Sequence, residues 1–358
     1  MLRRGGGRHK GEACCTEGRA RLPGVTDVRP CAIFSGMTRL RSTAIGILAA
    51  APVLVGTCAF AASPLASQQV ADSAFAPVLG PPAWTAGAGP RVALDEAHWN
   101  FHTLDGRYLT FGRVLASDGF RVGPLREPFT AAALDTLDVL VIANALHASN
   151  ATAGAWALPT PSAFTPEEIA AVRRWVEGGG ALLVIADHMP FAGAAGDLAA
   201  VFGFELRNGF AQGPGQGGPG LLVFRRSDGS LADHPVTRGA TPVLRVDSVA
   251  SFTGEALRAP AGAISLLTLP QKSVSLEPDT AWIFGDATPR TDVSGWSQGA
   301  VAEVGRGRVA GFGEAAMFSA QLAGPQQTPM GMNSPVAAHN PRLLMNLVRW
   351  LAGAAERE

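Results

Sequence analysis

Beyond position 58 the sequence has no cysteine: its four, Cys14, Cys15, Cys31 and Cys58, all lie near the N-terminus. The remainder is therefore without a disulfide, a thiolate metal ligand or a cysteine nucleophile. Charge is scarce as well, at 16% of residues against 47% hydrophobic ones, the balance of a chain with a large core. An excess of basic residues is also missing. The chain carries 29 basic and 29 acidic residues, but nine of the basic and three of the acidic fall within residues 1–61. That leaves 20 against 26, a net charge of −6, over the rest. Such a surface offers no footprint for nucleic acid or anionic lipid, so neither is expected as a partner. No internal repeat is visible.

What is present begins with a targeting pattern. Residues 1–36 are rich in Gly and Arg, lack periodicity, and read as a disordered, over-extended gene start. From Met37 the pattern changes: Arg39 and Arg41 precede an uncharged stretch from Thr43 that closes on Ala59-Phe60-Ala61, a small-x-small cleavage site. Residues 37–61 thus read as a signal peptide, with an uncleaved membrane anchor as the alternative that Pro52 disfavours. A periplasmic or extracellular location follows, with membrane contact only during export. Residues 62–90, rich in Ala, Pro and Ser, read as a linker.

From residue 91 onward strands and helices alternate. Residues 91–95, 120–122, 138–143 and 181–186 are strand candidates, and two of them, Asp-Val-Leu-Val-Ile-Ala and Ala-Leu-Leu-Val-Ile-Ala, suit burial on both faces. A helix is expected over 106–117, with Tyr108, Phe111 and Leu115 on one face. Another starts at Thr165-Pro166 with Glu168 completing a capping box, and ends at Gly178–Gly180. Shorter strands are expected at 221–225, 263–268 and 281–285, a hairpin over 300–312, and a last helix from Asn340-Pro341 to Gly353. The pattern predicts one α/β domain over 91–353 with a mostly parallel sheet and a small β-rich insertion near 205–270.

Two formal motifs fail on context. Gly295-Trp296-Ser297-Gln298-Gly299 fits G-x-S-x-G, but a polar loop precedes it and a strand follows, the reverse of a nucleophile elbow. Gly215 to Gly220 fits G-x-G-x-x-G without the strand and helix that would hold a phosphate, so it reads as a mobile loop.

Position is the stronger signal, because ligands in open parallel sheets bind outside the carboxyl ends of the strands. Those ends carry Asp95, Glu96 and His98, then Asp187 and His188, and finally Glu314, six candidates for acid, base or metal-ligand roles. His102, Arg107, Asn144 and His147 are the candidate ligand contacts. Each has a plainer reading: Asp95 and Asp187 cap the next element, Arg107 pairs with Asp95, and His147 lies exposed in a loop. His98 and His102, four apart, would share one face of a helical turn as a metal pair does. A divalent metal is therefore possible, and no cofactor is assigned. Two functions fit: a module binding a small molecule or envelope component, and an acid/base or metal-assisted hydrolase of carbohydrate or ester, with the glycine-rich loop as its lid.

Several of these segments also carry a resemblance. The two buried strands, Trp175-Val176-Glu177-Gly178-Gly179-Gly180, Gly305-Arg306-Gly307-Arg308-Val309 with Gly313-Glu314, and the final Asn340…Asn346…Trp350-Leu351 helix resemble the class I glutamine amidotransferase-like superfamily. The chain looks like an exported bacterial branch of it. The resemblance covers residues 91–353 and implies a flavodoxin-like three-layer α/β/α sandwich. It does not imply glutaminase activity, which needs a cysteine where this chain has Asp187-His188-Met189-Pro190.

Overall fold

A computed structural model describes residues 69–354; the segments read as gene start and signal peptide lie outside the described residues. Its frame is a mixed sheet of nine strands. Five neighbours run parallel, in the order Arg121–Leu125, Arg91–Asp95, Val139–Ala143, Ala181–Ile185 and Gly307–Phe312. In chain order these stand 2-1-3-4-5. Ser297–Val304 then pairs antiparallel with Gly307–Phe312 through the expected hairpin, and Leu257–Arg258, Ile264–Thr268 and Glu205–Leu206 extend that side.

Val139–Ala143 and Ala181–Ile185 are buried at every position, as their unbroken apolar runs require. Alternate residues supply different apolar clusters, because successive side chains leave a strand on opposite faces. Val139, Val141, Leu183 and Ile185 join a cluster with helices Leu109–Ser117 and Asn340–Leu351. Leu140, Ile142, Leu182 and Val184 join one with helices Pro166–Glu177 and Phe191–Ala200. The expected capping box closes Pro166–Glu177: Thr165 Oγ1 accepts from the Glu168 N–H, and Glu168 accepts from the Thr165 N–H. A buried ion pair, Asp118 with Arg349, ties the end of the first helix to the last one. No helix among the described residues is long and apolar enough to cross a membrane.

Three expectations change. The 62–90 linker contains a strand, Gln69–Ala71, paired with Ala320–Ala323, and its Leu79 is buried; a far segment supplies the partner, which local composition cannot show. Residues 281–285 form no strand: Trp282 has φ +69° and Ile283 is 67% exposed, so the apolar run lies at the surface. The 205–270 stretch is not a separate insertion. Leu222–Arg225 and Ser248–Ser251 form a two-stranded sheet of their own, but three other strands of that stretch belong to the main sheet.

Candidate functional site

The carboxyl ends of four parallel strands open on a cavity of about 260 Å³. Six of the ten candidates line it: His102, Arg107, Asn144, Asp187, His188 and Glu314. They follow the first, third, fourth and fifth parallel strands in chain order, so the cavity sits where the sheet order reverses.

Asn144 organises this junction. It directly follows the third strand at φ +55°, a conformation that asparagine tolerates better than most residues. Its N–H donates to Ile185 O at 2.9 Å, its carbonyl accepts from Phe101 N at 2.9 Å, and its Oδ1 accepts from Asp187 N at 2.9 Å. One residue thereby locks the loops after three strands.

Asp187 and Glu314 form a buried carboxyl pair. Burial raises the Asp187 pKa, against the opposing effects of His188, the Ala315 N–H and Asn144. Burial and the neighbouring Asp187 charge push Glu314 well above the usual range. Glu314 keeps its position through its two oxygens, which accept from Ala316 N at 2.8 Å and Met317 N at 2.7 Å. Burial thus holds both carboxyls above the ordinary carboxylate range, and the Asp187 charge adds to the rise at Glu314.

His188 lies beside them. Its Nδ1 is 2.7 Å from Met189 O, an atom that only accepts, so Nδ1 is the donor of that hydrogen bond. The ring stacks on Phe210 at 4.5 Å and meets the edge of Trp282 at 4.6 Å. His102 is buried too, and burial followed by the Arg107 charge lowers its pKa to about 3, leaving a neutral imidazole. Its Nδ1 has no hydrogen-bond partner.

Arg107 makes no ion pair among the described residues, so the expected bridge to Asp95 is absent. Its guanidinium lies 4.0 Å over the Phe101 ring, and its buried Nε has no partner. Phe101, Trp156 and Phe191 build an aromatic wall with ring centroids 5.1–5.7 Å apart, and Trp282 closes another side. These aromatic residues went unread in the sequence because they sit in or next to loops without periodicity.

Four candidates belong elsewhere. His98 is clamped between two carboxylates, with Nδ1 2.9 Å from Asp95 and Nε2 2.9 Å from Glu168, and its ring packs against Phe129 and Phe164. Asp95, fully buried, serves that clamp and also accepts from Ala97 N. Glu96 accepts from Leu104 N and pairs with Arg126 at 2.9 Å. His147 caps the short helix Ala148–Ala151 through Ser149 N. The His98/His102 metal pair fails because Trp99, at φ +50°, turns the chain and residues 98–102 are not helical. No group of three or more His, Cys, Asp or Glu able to hold a metal occurs among the described residues.

Of the two motifs set aside, the glycine-rich one has a strand leading in, Phe210–Gln212, contrary to expectation, but a strand and not a helix follows it. Ser297 begins a strand and donates to Ser265 Oγ at 2.6 Å, with no base beside it. A serine-directed fluorophosphonate should leave Ser297 unlabelled; its stoichiometric labelling, read by mass spectrometry, would contradict this assignment. No residue of 212–220 lines the cavity, so the glycine-rich loop is not placed as its lid.

No protein-family model matches the chain, and no curated protein matches it. Among solved structures it is similar to the mmIFT52 N-terminal domain, at 13% identity over 73% of this chain and 97% of that one, with a TM-score of 0.49. It is also similar to a ThuA-like protein from Bacteroides uniformis, at 14% identity over 76% and 95% of the two chains and a TM-score of 0.42. A cytoplasmic protein from Salmonella typhimurium LT2 gives 15% identity over 73% and 98%, with a TM-score of 0.43.

Proposed function

We propose that this chain is an exported, periplasmic or extracellular binding domain for a small molecule, built on a flavodoxin-like three-layer sandwich of the glutamine amidotransferase-like kind and without glutaminase activity. The strand order 2-1-3-4-5 supports the flavodoxin-like reading. The observation that carries the binding reading is the cavity itself: six polar strand-end side chains converge in it, and aromatic rings wall it. The asparagine-locked loops give that cavity a fixed shape before any ligand arrives, which limits the ordering cost of binding.

A second reading draws on the Asp187/Glu314 pair. Two buried carboxyls held above the ordinary range, with His188 alongside, are the equipment of an acid/base hydrolase of carbohydrate or ester. Glu314 would supply the proton, and Asp187 or His188 would receive one. The metal-assisted version lacks a ligand set among the described residues.

Trp156 and Trp282 both line the cavity, so their emission reports its occupancy. Titrating the protein with a panel of small acids, sugars, alcohols and esters should return compounds that change tryptophan emission. Trp156→Ala should weaken their binding by about tenfold, the effect of removing one stacking wall. A panel without saturable response, or hits that bind Trp156→Ala equally well, would contradict the reading. Release of product from an ester or glycoside, abolished by Asp187→Asn, would select the hydrolase instead.

A further inference from the structure

We infer that the cavity selects a small monocarboxylate with a flat single-ring body, its carboxylate held by Arg107; this rests on the binding reading above and names its ligand class. The first observation is an uncompensated cation. Arg107 has no carboxylate within ion-pair distance among the described residues, its Nε is buried without a partner, and its guanidinium carbon lies 4.0 Å over the Phe101 ring. A half-buried cation that bonds nothing in the fold is costly to keep. A planar oxyanion, which meets the guanidinium in its own plane with two parallel hydrogen bonds, removes that cost.

The second observation is His102, which lines the same cavity, is 4% exposed and has a buried Nδ1 without a partner. Its ring is neutral, so it adds a hydrogen-bonding group without adding charge. The slot therefore offers one positive charge, which matches a carboxylate and leaves a phosphate dianion half-compensated. Asp187 and Glu314 line the same cavity, where their carboxyls disfavour a second anion and suit a neutral hydroxyl. The cation and the carboxyls together orient the ligand, with its carboxylate toward Arg107. Phe101, Trp156 and Phe191 line the same cavity, and their rings suit a flat body. About 260 Å³ falls just below the roughly 300–1,000 Å³ of drug-sized sites, which limits that body to a single ring.

The test uses the purified protein with benzoate, benzamide and inorganic phosphate, read by tryptophan emission and by calorimetry. Benzoate should bind at least tenfold more tightly than benzamide, and phosphate should not displace it. Arg107→Gln should erase the preference, and Arg107→Lys should keep part of it. Because the guanidinium makes no hydrogen bond or ion pair among the described residues and only a ring contact to Phe101, Arg107→Gln should keep the wild-type melting temperature or exceed it. A merely structural arginine would lower it. Equal binding of benzamide and benzoate, or a preference that survives in Arg107→Gln, would overturn the anion slot while leaving a binding cavity in place. Displacement of benzoate by phosphate would overturn the carboxylate assignment. Failure of all three probes would also overturn this inference, and the wider ligand panel would then decide separately whether the cavity binds anything.

Discussion

His98→Ala is expected to lower folding stability by about 3–5 kcal/mol, the cost of stranding buried carboxylates by removing the cation between them, while leaving ligand binding in the cavity unchanged. The ring joins Asp95, at the end of the first parallel strand, to Glu168, in the first turn of helix Pro166–Glu177. Its loss leaves Asp95, which is 0% exposed, without its charged partner. The clamp has a predictable pH profile. Burial pulls the His98 pKa down, but the hydrogen bonds and charges of Asp95 and Glu168 outweigh it and hold it above the ordinary 6.5. The His98 contribution is thus complete below pH 6.5 and is lost as pH rises through the raised value. Burial pushes Glu168 upward, but the Thr165 N–H, the His98 hydrogen bond and the His98 charge bring it below 4.5. Its contribution is complete above pH 4.5 and is lost as pH falls through the lowered value. The clamp is therefore strongest between pH 4.5 and 6.5. Urea unfolding of both proteins across pH 4–9 should show the deficit of His98→Ala narrowing on the alkaline side. A deficit that widens there, or a small one at every pH, would contradict the clamp.

Asp187→Asn should do the opposite: stabilise the protein near pH 8 and weaken ligand binding by at least tenfold. Burial holds the Asp187 pKa above its ordinary 3.8, so the fold prefers the protonated carboxyl. Stability from that preference is present at low pH and is lost as pH rises through the raised value. Asparagine is neutral at every pH and keeps Oδ1 as the acceptor for the His188 N–H, now at 2.8 Å. The gain should appear as a melting point raised above the wild type's at pH 8 and vanish near pH 4. Stability given up for a charged, buried site is the signature of function. A destabilised Asp187→Asn at pH 8 would make Asp187 a structural residue.

How much of this was legible beforehand follows from which forces are local. Residues 139–143 and 181–185 were readable because burial on both faces demands an unbroken apolar run. The helix at Thr165 was readable because its capping box is made within four residues. Asn144, Asp187, His188 and Glu314 could be expected to share a cavity because they follow strand ends, where the loops of such a sheet converge. The same rule overreached at Asp95, Glu96 and His98, which stand at an equally good strand end. What separates them from Asp187 and Glu314 is Trp99 at φ +50° and Glu168, 70 positions from His98, neither visible in local spacing. The aromatic walls were hidden for a related reason. Trp156 and Trp282 lie in loops, and the apolar run around Trp282 imitates a strand while its side chain serves the rim of the cavity.

The most direct test of the central claim, that ligand binds in the Arg107–Asp187–Glu314 cavity and not at the Asp95–His98 cluster, is a crystal structure of the protein grown with the tightest compound from the tryptophan titration. The account predicts that compound against the Phe101, Trp156 and Phe191 rings, with its anionic group on Arg107 and its other end at Asp187 and Glu314. A compound bound beside Asp95, Glu96 and His98, with the aromatic cavity empty at saturation, would contradict it.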